Sequence, residues 1–324
     1  MSWRIGVDIG GTFTDVAVVE EKCRRIGVAK VPTTPDDFAL GVLDGLDQVM
    51  AKYAIPAGDV GLLAHATTVV TNAILEEKGA DAALVMTRGF RDVLELRRSA
   101  RPDLYDLFQD APATLIPRRN RLEITERVGA DGSVVTPLAE AEIEGLIADI
   151  RARNVEAIAV SLLFSFLNPA HERRLGEALR EAFPDKPVYL SSEVLPEIRE
   201  FERTSTTSVC AYVGPILASY LARLEEAVTG IGLPKIYVMG SNGGVFEAAE
   251  GVAMPAMAVE SGPAAGVVAT SLVANQTDKR DILSFDMGGT TAKASLIRDG
   301  QYETCLLYTS DAADERGWVW VAGG

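Results

Sequence analysis

A short pattern that occurs twice, once near each end of the chain, constrains the fold more than any other feature of the sequence. The first copy is Asp8-Ile9-Gly10-Gly11-Thr12 and the second is Asp286-Met287-Gly288-Gly289-Thr290. Each copy follows an apolar segment typical of a β-strand and precedes a second β-type segment, at residues 15–19 and 292–297. The repeat therefore predicts two strand–turn–strand hairpins, in two related lobes that face one another across a cleft.

The residue types of this pattern suit a polyphosphate held together with a metal ion. Glycines let the turn backbone approach an anion closely and offer N–H donors, and threonine hydroxyls add further donors. An aspartate at a strand end cannot hold phosphate directly, but it can hold Mg²⁺, usually through water. We therefore expect Asp8 and Asp286 to be the metal-binding and catalytic residues. The expected phosphate-binding residues are Gly10, Gly11, Thr12, Thr14, Gly288, Gly289, Thr290 and Thr291.

Three other interpretations of the pattern are weaker. A single copy could be an ordinary hairpin turn, because two glycines between strands are common there, but a second copy with a matching aspartate argues against this. A dinucleotide-binding fold would need G-x-G-x-x-G at the start of a helix, whereas these glycines lead into a β-type segment. A P-loop would need GxxxxGK[ST], which the sequence does not contain.

Strand-like and helix-like segments alternate along most of the chain. Apolar β-type segments at 60–64, 82–86, 155–160 and 187–191 are interleaved with segments of helical spacing at 68–78, 138–152 and 169–182. This order predicts an α/β fold in which helices cover a sheet. Residues 196–229 contain few helix breakers and are predicted to form a long helix that connects to a second lobe.

Composition and charge exclude several classes of protein. Of the 324 residues, 48% are hydrophobic and 24% are charged, as in an ordinary globular protein with a sizeable core. The formal net charge of −15 argues against non-specific binding to nucleic acid or to an anionic membrane. No apolar run reaches the ~18 residues of a membrane-spanning helix, and no signal peptide is indicated. The three cysteines lack CxxC spacing, so we expect a cytoplasmic protein without disulfide framework or zinc site.

Longer sequence blocks resemble one enzyme family. A pair of such hairpins is similar to that of the superfamily of actin, sugar kinases and Hsp70-type chaperones. The segment GVDIGGTFTD at 6–15 is similar to the opening of the hydantoinase A/5-oxoprolinase family, which includes N-methylhydantoinase and is related to acetone carboxylase subunits. Further blocks follow in that family's order: HATTVVTNAILE at 65–76, TRGFRDVLE at 87–95, SNGG at 241–244, ESGPAAG at 260–266 and FDMGGTT at 285–291. One departure is Ala66, where the family would have glycine.

The resemblance implies a fold and an activity. The fold would be a ribonuclease-H-like first lobe of the actin-like ATPase type, with an incomplete second lobe. The activity would be the ATP-dependent opening of a cyclic amide such as hydantoin or 5-oxoproline, through phosphorylation of the amide oxygen. ATP and Mg²⁺ would be the cofactors, and a hydantoinase B-type subunit or domain the partner. A subunit of acetone or acetophenone carboxylase type is the alternative, and a chaperone-like ATPase or binding module is a more distant one.

The resemblance also points to polar segments away from the hairpins. Between a predicted strand and a predicted helix, five residues are expected to line the substrate side of the cleft: His65, Thr67, Thr68, Thr71 and Asn72. The alternative is helix capping by threonine beside a surface histidine. A group of arginines could hold a carboxylate, although a solvated face explains them nearly as well: Arg88, Arg91, Arg97, Arg98 and Arg101. The segment 260–263 could be a helix entrance at the cleft or only a cap.

We expect three consecutive parts along the chain. Residues 1–192 would form the first lobe, and 193–304 the connecting helix and the start of the second lobe. Residues 305–324 resemble the translation of a sequencing adapter, and we expect them to be a non-native tail on a truncated chain that is itself inactive. Apolar residues just before it should then lack the elements that cover them, namely Phe285, Leu296 and Ile297.

Overall fold

The chain forms two compact units. The structure, a computed structural model, describes residues 2–34, 37–98, 108, 113–277, 279–287 and 292–302. Unit 1 contains the described residues of 1–76 and 216–306, and unit 2 contains those of 77–215. Because unit 1 is built from two separate stretches, the units cut across the boundary predicted after residue 192. The three-part linear division, including the 305–324 tail that lies outside the described residues, stays a prediction.

The described residues contain fourteen strands and nine α-helices. The strands are β1 (Trp3–Ile9), β2 (Phe13–Glu20), β3 (Ile26–Pro32), β4 (Val60–Thr67), β5 (Ala82–Thr87), β6 (Arg121–Ile124), β7 (Arg127–Val128), β8 (Val134–Thr136), β9 (Ala157–Ser161), β10 (Val188–Leu190), β11 (Ile236–Met239), β12 (Val245–Glu247), β13 (Ile282–Met287) and β14 (Ala292–Ile297). The helices are α1 (Phe38–Tyr53), α2 (Val69–Leu75), α3 (Val93–Leu96), α4 (Glu140–Arg153), α5 (Ala170–Ala182), α6 (Ser191–Val194), α7 (Glu200–Gly230), α8 (Ala248–Ala253) and α9 (Ser261–Gln276). None of the described helices is long and apolar enough to cross a membrane.

A six-stranded sheet forms the centre of unit 1. Its strand order is β12-β11-β4-β1-β2-β3, with β1 antiparallel to β2 and parallel to β4. Side chains alternate along β1 and β2 between a buried and an exposed face, as the period-2 pattern of an antiparallel pair requires. Helix α1 packs on the buried face through Val42, Leu46 and Val49, and begins where Asp37 accepts a hydrogen bond from the amide of Ala39 at 3.1 Å.

Unit 2 is built on a separate four-stranded sheet in which all strands are parallel. The order is β10-β9-β5-β6, and every residue of β5 and β9 is buried. Such continuous apolar strands are typical of a parallel sheet that is covered on both faces. Ile143, Leu146 and Ile150 of α4 pack into this core with Leu175 and Leu179 of α5. The predicted α/β layering is thus present in both units.

The structure differs from the sequence-based element boundaries at a few places. Helix α2 ends at Leu75 rather than near 78, and α7 begins at Glu200 rather than 196. The later start of α7 follows from the left-handed backbone of Arg199, whose φ is 84°. Strand β6 was not predicted, because it is only four residues long and two of those residues, Arg121 and Glu123, are charged.

The second hairpin is present as β13 and β14. The pair is antiparallel, with Asp286 opposite Lys293. The expectation of uncovered apolar residues is met by Phe285, which is 64% exposed, and is wrong for Ile297, which is fully buried. Ile297 packs against Ala264 and Val267 of α9, so that helix covers one face of the hairpin. Leu296 is half-buried.

Candidate functional site

Hydrogen bonds connect the start of α9 to the junction between β4 and α2 in unit 1. The amide of Thr67 donates to the hydroxyl of Ser261 at 2.9 Å, and that hydroxyl donates to the carbonyl of Thr67 at 2.8 Å. The amide of Glu260 donates to the hydroxyl of Thr71 at 3.0 Å. Ser261, Thr67 and Thr71 are buried, so these bonds satisfy polar groups that have no access to water. Segments nearly 200 residues apart in sequence are thereby joined.

The turn between β1 and β2 lies against the same junction and leaves two amides free. The hydroxyl of Thr68 donates to the carbonyl of Ile9 at 2.9 Å. Within the turn, the amide of Gly10 donates to the carbonyl of Phe13 at 2.9 Å. Gly11 and Thr12 are exposed, and their amides have no acceptor in the described part of the chain. Adjacent free N–H groups in a glycine turn are the donors that bind an oxyanion.

Thr14 takes a different position from the rest of the turn. Its side chain is fully buried on the face of the sheet that α1 covers, and its hydroxyl lies 3.2 Å from that of Thr33. Thr33 in turn donates to the carbonyl of Gly10 at 2.8 Å. In this arrangement the Thr14 hydroxyl supports the turn through Thr33. It does not point toward the exposed side of the turn.

Asp8 lies one residue before the end of β1, on the face opposite α1. Burial, followed by the negative charges of Asp15 and Asp286, raises its pKa from 3.8 to about 6, against the opposing effect of Lys293 and Lys30. Asp286 occupies the corresponding position one residue before the end of β13. The negative charge of Asp286 therefore acts on Asp8, although less strongly than that of Asp15, and the metal-binding role of the pair stays a prediction.

The start of α9 approaches Asp8 closely. A Cβ atom added to Gly262 would lie 3.2 Å from Oδ1 of Asp8. The glycine thus leaves room beside the carboxylate that a larger residue would fill. Gly288, Gly289, Thr290 and Thr291 of the second turn lie outside the described residues, and their predicted role stays a prediction.

A buried ion pair links the second hairpin to α9. The ammonium group of Lys293, on β14, pairs with the carboxylate of Glu260, and the two side chains are 9% and 14% exposed. Glu260 has a left-handed backbone with φ of 60°, which is unusual for a residue other than glycine. Sequence reasoning missed Lys293. The available signal was a single charged residue inside the otherwise apolar or small-residue segment AKASLI.

His65 is buried on the opposite face of the sheet from Asp8. In the parallel register, Val7 pairs with His65 while Asp8 pairs with Ala66, so His65 shares the face of Val7. Its Nε2 atom lies 2.7 Å from the hydroxyl of Tyr220, and burial lowers its pKa to about 4. The histidine is therefore neutral and enclosed, unlike the surface histidine of the alternative interpretation.

The remaining residues of that segment divide into two groups. Thr67 and Thr71 are buried and use their polar atoms on α9, as described above. Thr68 and Asn72 are half-buried, and the side-chain amide of Asn72 lies 3.4 Å from the Thr68 hydroxyl. These two are the members of the predicted substrate-side set with side chains still open to a ligand.

A small cavity adjoins Asp8 within unit 1. Its volume is about 270 Å³, and Asp8, Asp15 and small residues such as Ala17, Ala66 and Ala265 line it. Small side chains on the open face of the sheet create this space next to the two carboxylates. The cavity is close to the lower limit of small-molecule sites, which begins at roughly 300 Å³.

The arginines singled out in the sequence are not all together. Arg88 and Arg91 line one concavity of unit 2, whereas Arg98 pairs with the buried Glu202. Arg97 follows α3 with a φ of 51° and lies outside that concavity. Arg101 lies outside the described residues. The described chain therefore does not bring these arginines together in a single site.

Sequence models of one protein family match both parts of the chain. The model of the hydantoinase/oxoprolinase N-terminal region matches residues 4–183, and the hydantoinase/oxoprolinase model matches residues 203–313. A curated relative, caprolactamase subunit alpha of Pseudomonas jessenii, is 37% identical over 310 residues, which are 92% of this chain and 44% of that subunit.

Two solved structures are similar in fold. The ATP-dependent caprolactamase from Pseudomonas jessenii matches with a TM-score of 0.80 and 35% identity, over 90% of this chain and 43% of its own. Nucleotide-free acetone carboxylase matches with a TM-score of 0.84 and 26% identity, over 94% of this chain and 46% of its own. The likeness confirms the predicted α/β fold class. The chain spans less than half the length of each of these proteins.

Proposed function

The chain belongs to the hydantoinase/oxoprolinase family, and we propose on that basis that it is part of an enzyme subunit that uses ATP to activate the carbonyl group of a small substrate. The observation that carries the proposal is the arrangement around Asp8. The carboxylate of Asp286 acts on it electrostatically, and the turn beside it offers the free amides of Gly11 and Thr12. The similar caprolactamase and acetone carboxylase are both described as ATP-dependent, which supports ATP as the cosubstrate.

The proposed roles of the residues follow from their chemistry. Asp8 and Asp286 hold Mg²⁺, which prefers one or two carboxylates together with phosphate oxygens. A cation fits this position, because its charge would offset the burial of Asp8 and the negative charges of Asp15 and Asp286, which together raise the pKa of Asp8. The amides of Gly11 and Thr12 bind phosphate oxygens, and the second turn does the same on its side. ATP, when bound, supplies the phosphoryl group, and the protein contributes positioning and charge stabilisation.

We further propose a cyclic amide of the hydantoin or 5-oxoproline type as the substrate. Resonance deactivates a lactam carbonyl, so transfer of phosphate to its oxygen makes the ring carbon electrophilic and couples ring opening to phosphate release. The cavity beside Asp8 is of a size that suits a single small ring. Thr68 and Asn72, with side chains that are only half-buried, do not line this cavity, and we propose that they contact a part of the substrate outside it.

A carboxylase subunit is the second candidate function. The structural likeness to acetone carboxylase, with a TM-score of 0.84, favours it. The same carboxylates and turn amides would then direct phosphate to the oxygen of a ketone enolate or of bicarbonate. A chaperone-like ATPase gains no such support from the proteins compared above.

We propose a hydantoinase B-type partner and a cytoplasmic location. The similar caprolactamase chain is named subunit alpha, which supports assembly with at least one other subunit. Cys23, one of the cysteines that the structure describes, is an exposed free thiol. Free thiols are typical of a reducing compartment.

The test is ATP hydrolysis by the complete enzyme with a panel of substrates. Hydrolysis that requires a cyclic amide and proceeds without bicarbonate would support the amidohydrolase. Hydrolysis that requires both a ketone and bicarbonate would support the carboxylase. Stimulation by unfolded peptides instead, with no response to either class of small molecule, would contradict both proposals.

A further inference from the structure

Unit 2 contains a concavity in which six of the nine lining residues are arginine. Its volume is about 580 Å³, which lies within the usual range for small-molecule sites. We call it the arginine concavity, and its charged lining residues are Arg88, Arg91, Arg118, Arg119, Arg121, Arg153, Glu123 and Asp149. Six positive charges against two negative ones are unusual in a chain whose net charge is −15.

Three of these arginines are held in fixed positions. The guanidinium of Arg121 is almost fully buried and donates to Glu95 at 3.0 Å and to the carbonyl of Ile116 at 2.9 Å. Arg118 makes a bidentate pair with Asp92, at 2.9 and 3.1 Å. Such planar, two-point contacts fix the direction of a guanidinium group. Arg153 is likewise held, by the backbone carbonyls of residues 119 and 149.

The other three arginines retain unused hydrogen-bond donors. Arg88 lies 3.6 Å from Glu142, and Arg91 lies 3.7 Å from Glu123, both too far for a well-formed hydrogen bond. The Arg119 guanidinium has no carboxylate or hydrogen-bond partner in the described ranges. Loose surface pairs of this kind contribute little stability. An incoming anion can therefore take these donors without disrupting the fold.

We propose that the arginine concavity is a binding site for a small multivalent anion that presents phosphate or carboxylate oxygens. The fixed arginines hold the shape of the lining, and the available ones supply forked donors that match the geometry of such oxygens. The cavity volume favours a molecule of metabolite size. The strongly negative net charge argues against a nucleic-acid backbone as the ligand. This site is independent of the proposed ATP chemistry in unit 1.

The test is calorimetric titration of the whole chain, at constant ionic strength and without divalent cations. Pyrophosphate is the probe for a phosphate source and citrate is the probe for a carboxylate source. The diagnostic variant is Arg119→Ser, because the side chain is exposed and its loss should not affect folding. The matched control is Arg173→Ser, which removes the same charge from an exposed position on α5 outside the concavity.

Saturable binding of at least one probe is expected, with the affinity reduced about tenfold or more by Arg119→Ser and little changed by Arg173→Ser. The probe that binds more tightly identifies the source of the oxygens. The absence of saturable binding by either probe would overturn the proposal. Equal weakening by both variants would also overturn it, because only the general charge of the protein would then matter. Circular dichroism of both variants verifies that neither is unfolded.

Discussion

The ionised carboxylate of Asp8, which the proposed metal site needs, lowers the stability of the folded protein. The folded protein raises its pKa from 3.8 to about 6, so above pH 6 the ionised carboxylate opposes folding. In the absence of Mg²⁺, Asp8→Asn should therefore raise the free energy of unfolding near pH 8, by about 1 kcal/mol, because solvent screens the charge of this exposed side chain. The gain should shrink as the pH falls through 6 and vanish below 3.8. Denaturant unfolding across this pH range measures it, with Asp185→Asn on the exposed surface as control.

The same substitution should abolish catalysis. In the complete enzyme, Asp8→Asn should reduce substrate-dependent ATP hydrolysis about a thousandfold, which corresponds to about 4 kcal/mol of lost transition-state stabilisation. The amide keeps the shape of the side chain but cannot carry the charge that would organise Mg²⁺. Asp286→Asn should have a comparable effect. Near-normal turnover in both variants would exclude the proposed metal site.

His65 should make the stability of the protein sensitive to acid. Its pKa is lowered from 6.5 to about 4, so the unfolded chain gains a proton before the folded one as the pH falls. Its contribution to stability is complete above pH 6.5 and is lost progressively down to pH 4, by about 3 kcal/mol in total. In His65→Gln, this part of the acid-induced loss should be absent.

Denaturant unfolding at a series of pH values measures this effect. The second histidine of the chain, His171, provides the control variant. The side chain of His171, in unit 2, is only 12% exposed, and its Nδ1 atom lies 2.7 Å from the carboxylate of the buried Glu126. His171→Gln retains the buried imidazole of His65, so the part of the loss attributed to His65 should remain. Identical pH dependence in His65→Gln and the unchanged protein would show that folding does not lower the pKa of His65.

At the scale of elements, the attachment of the β13–β14 hairpin to α9 depends on the pair of Lys293 and Glu260. Lys293→Met should lower the free energy of unfolding by about 3 kcal/mol or more, since it leaves a nearly buried carboxylate without a partner. Adding Glu260→Gln should recover much of this loss. Lys30→Met, which breaks an exposed pair with Asp15, should cost less than about 1 kcal/mol. Hydrogen exchange of the backbone amides in 282–287 and 292–297 would show whether the loss of stability is located in the hairpin. If Lys293→Met leaves the protection of these amides unchanged, the ion pair does not hold the hairpin to α9.

The sequence was informative where local patterns determine the structure. Both hairpins, the strand–helix alternation and the long helix follow from periodicity and turn residues, and each was predicted within a few residues. The sequence was uninformative where packing between distant segments determines the position of a side chain. Nothing local shows that Thr14 is buried or that Lys293 meets Glu260, because those outcomes depend on which face of the sheet α1 and α9 cover. The same applies to Arg119 and Arg88, which converge only after folding.

At the scale of the whole molecule, the described residues of unit 2 are continuous in sequence, whereas those of unit 1 come from two separate stretches. Residues 77–215, expressed alone, should therefore fold and unfold cooperatively around the core between α4, α5 and the parallel sheet. The first half of α7 must be included. Its Arg203 is fully buried and donates to the Ser191 hydroxyl at 3.0 Å and to the carbonyl of Leu162 at 2.8 Å.

A fragment that stops at residue 192, the boundary expected from the sequence, is the decisive comparison. Residues 77–192 keep both strands and helices of the core but lose Arg203, which leaves the buried acceptors of Ser191 and Leu162 without their donor. They also lose the apolar residues of α7 buried in this unit, such as Val209 and Val213. We expect this shorter fragment to lack a cooperative thermal transition, while 77–215 shows one. If instead 77–192 unfolds as cooperatively as 77–215, the boundary after residue 192 describes the folding unit better than the contacts do.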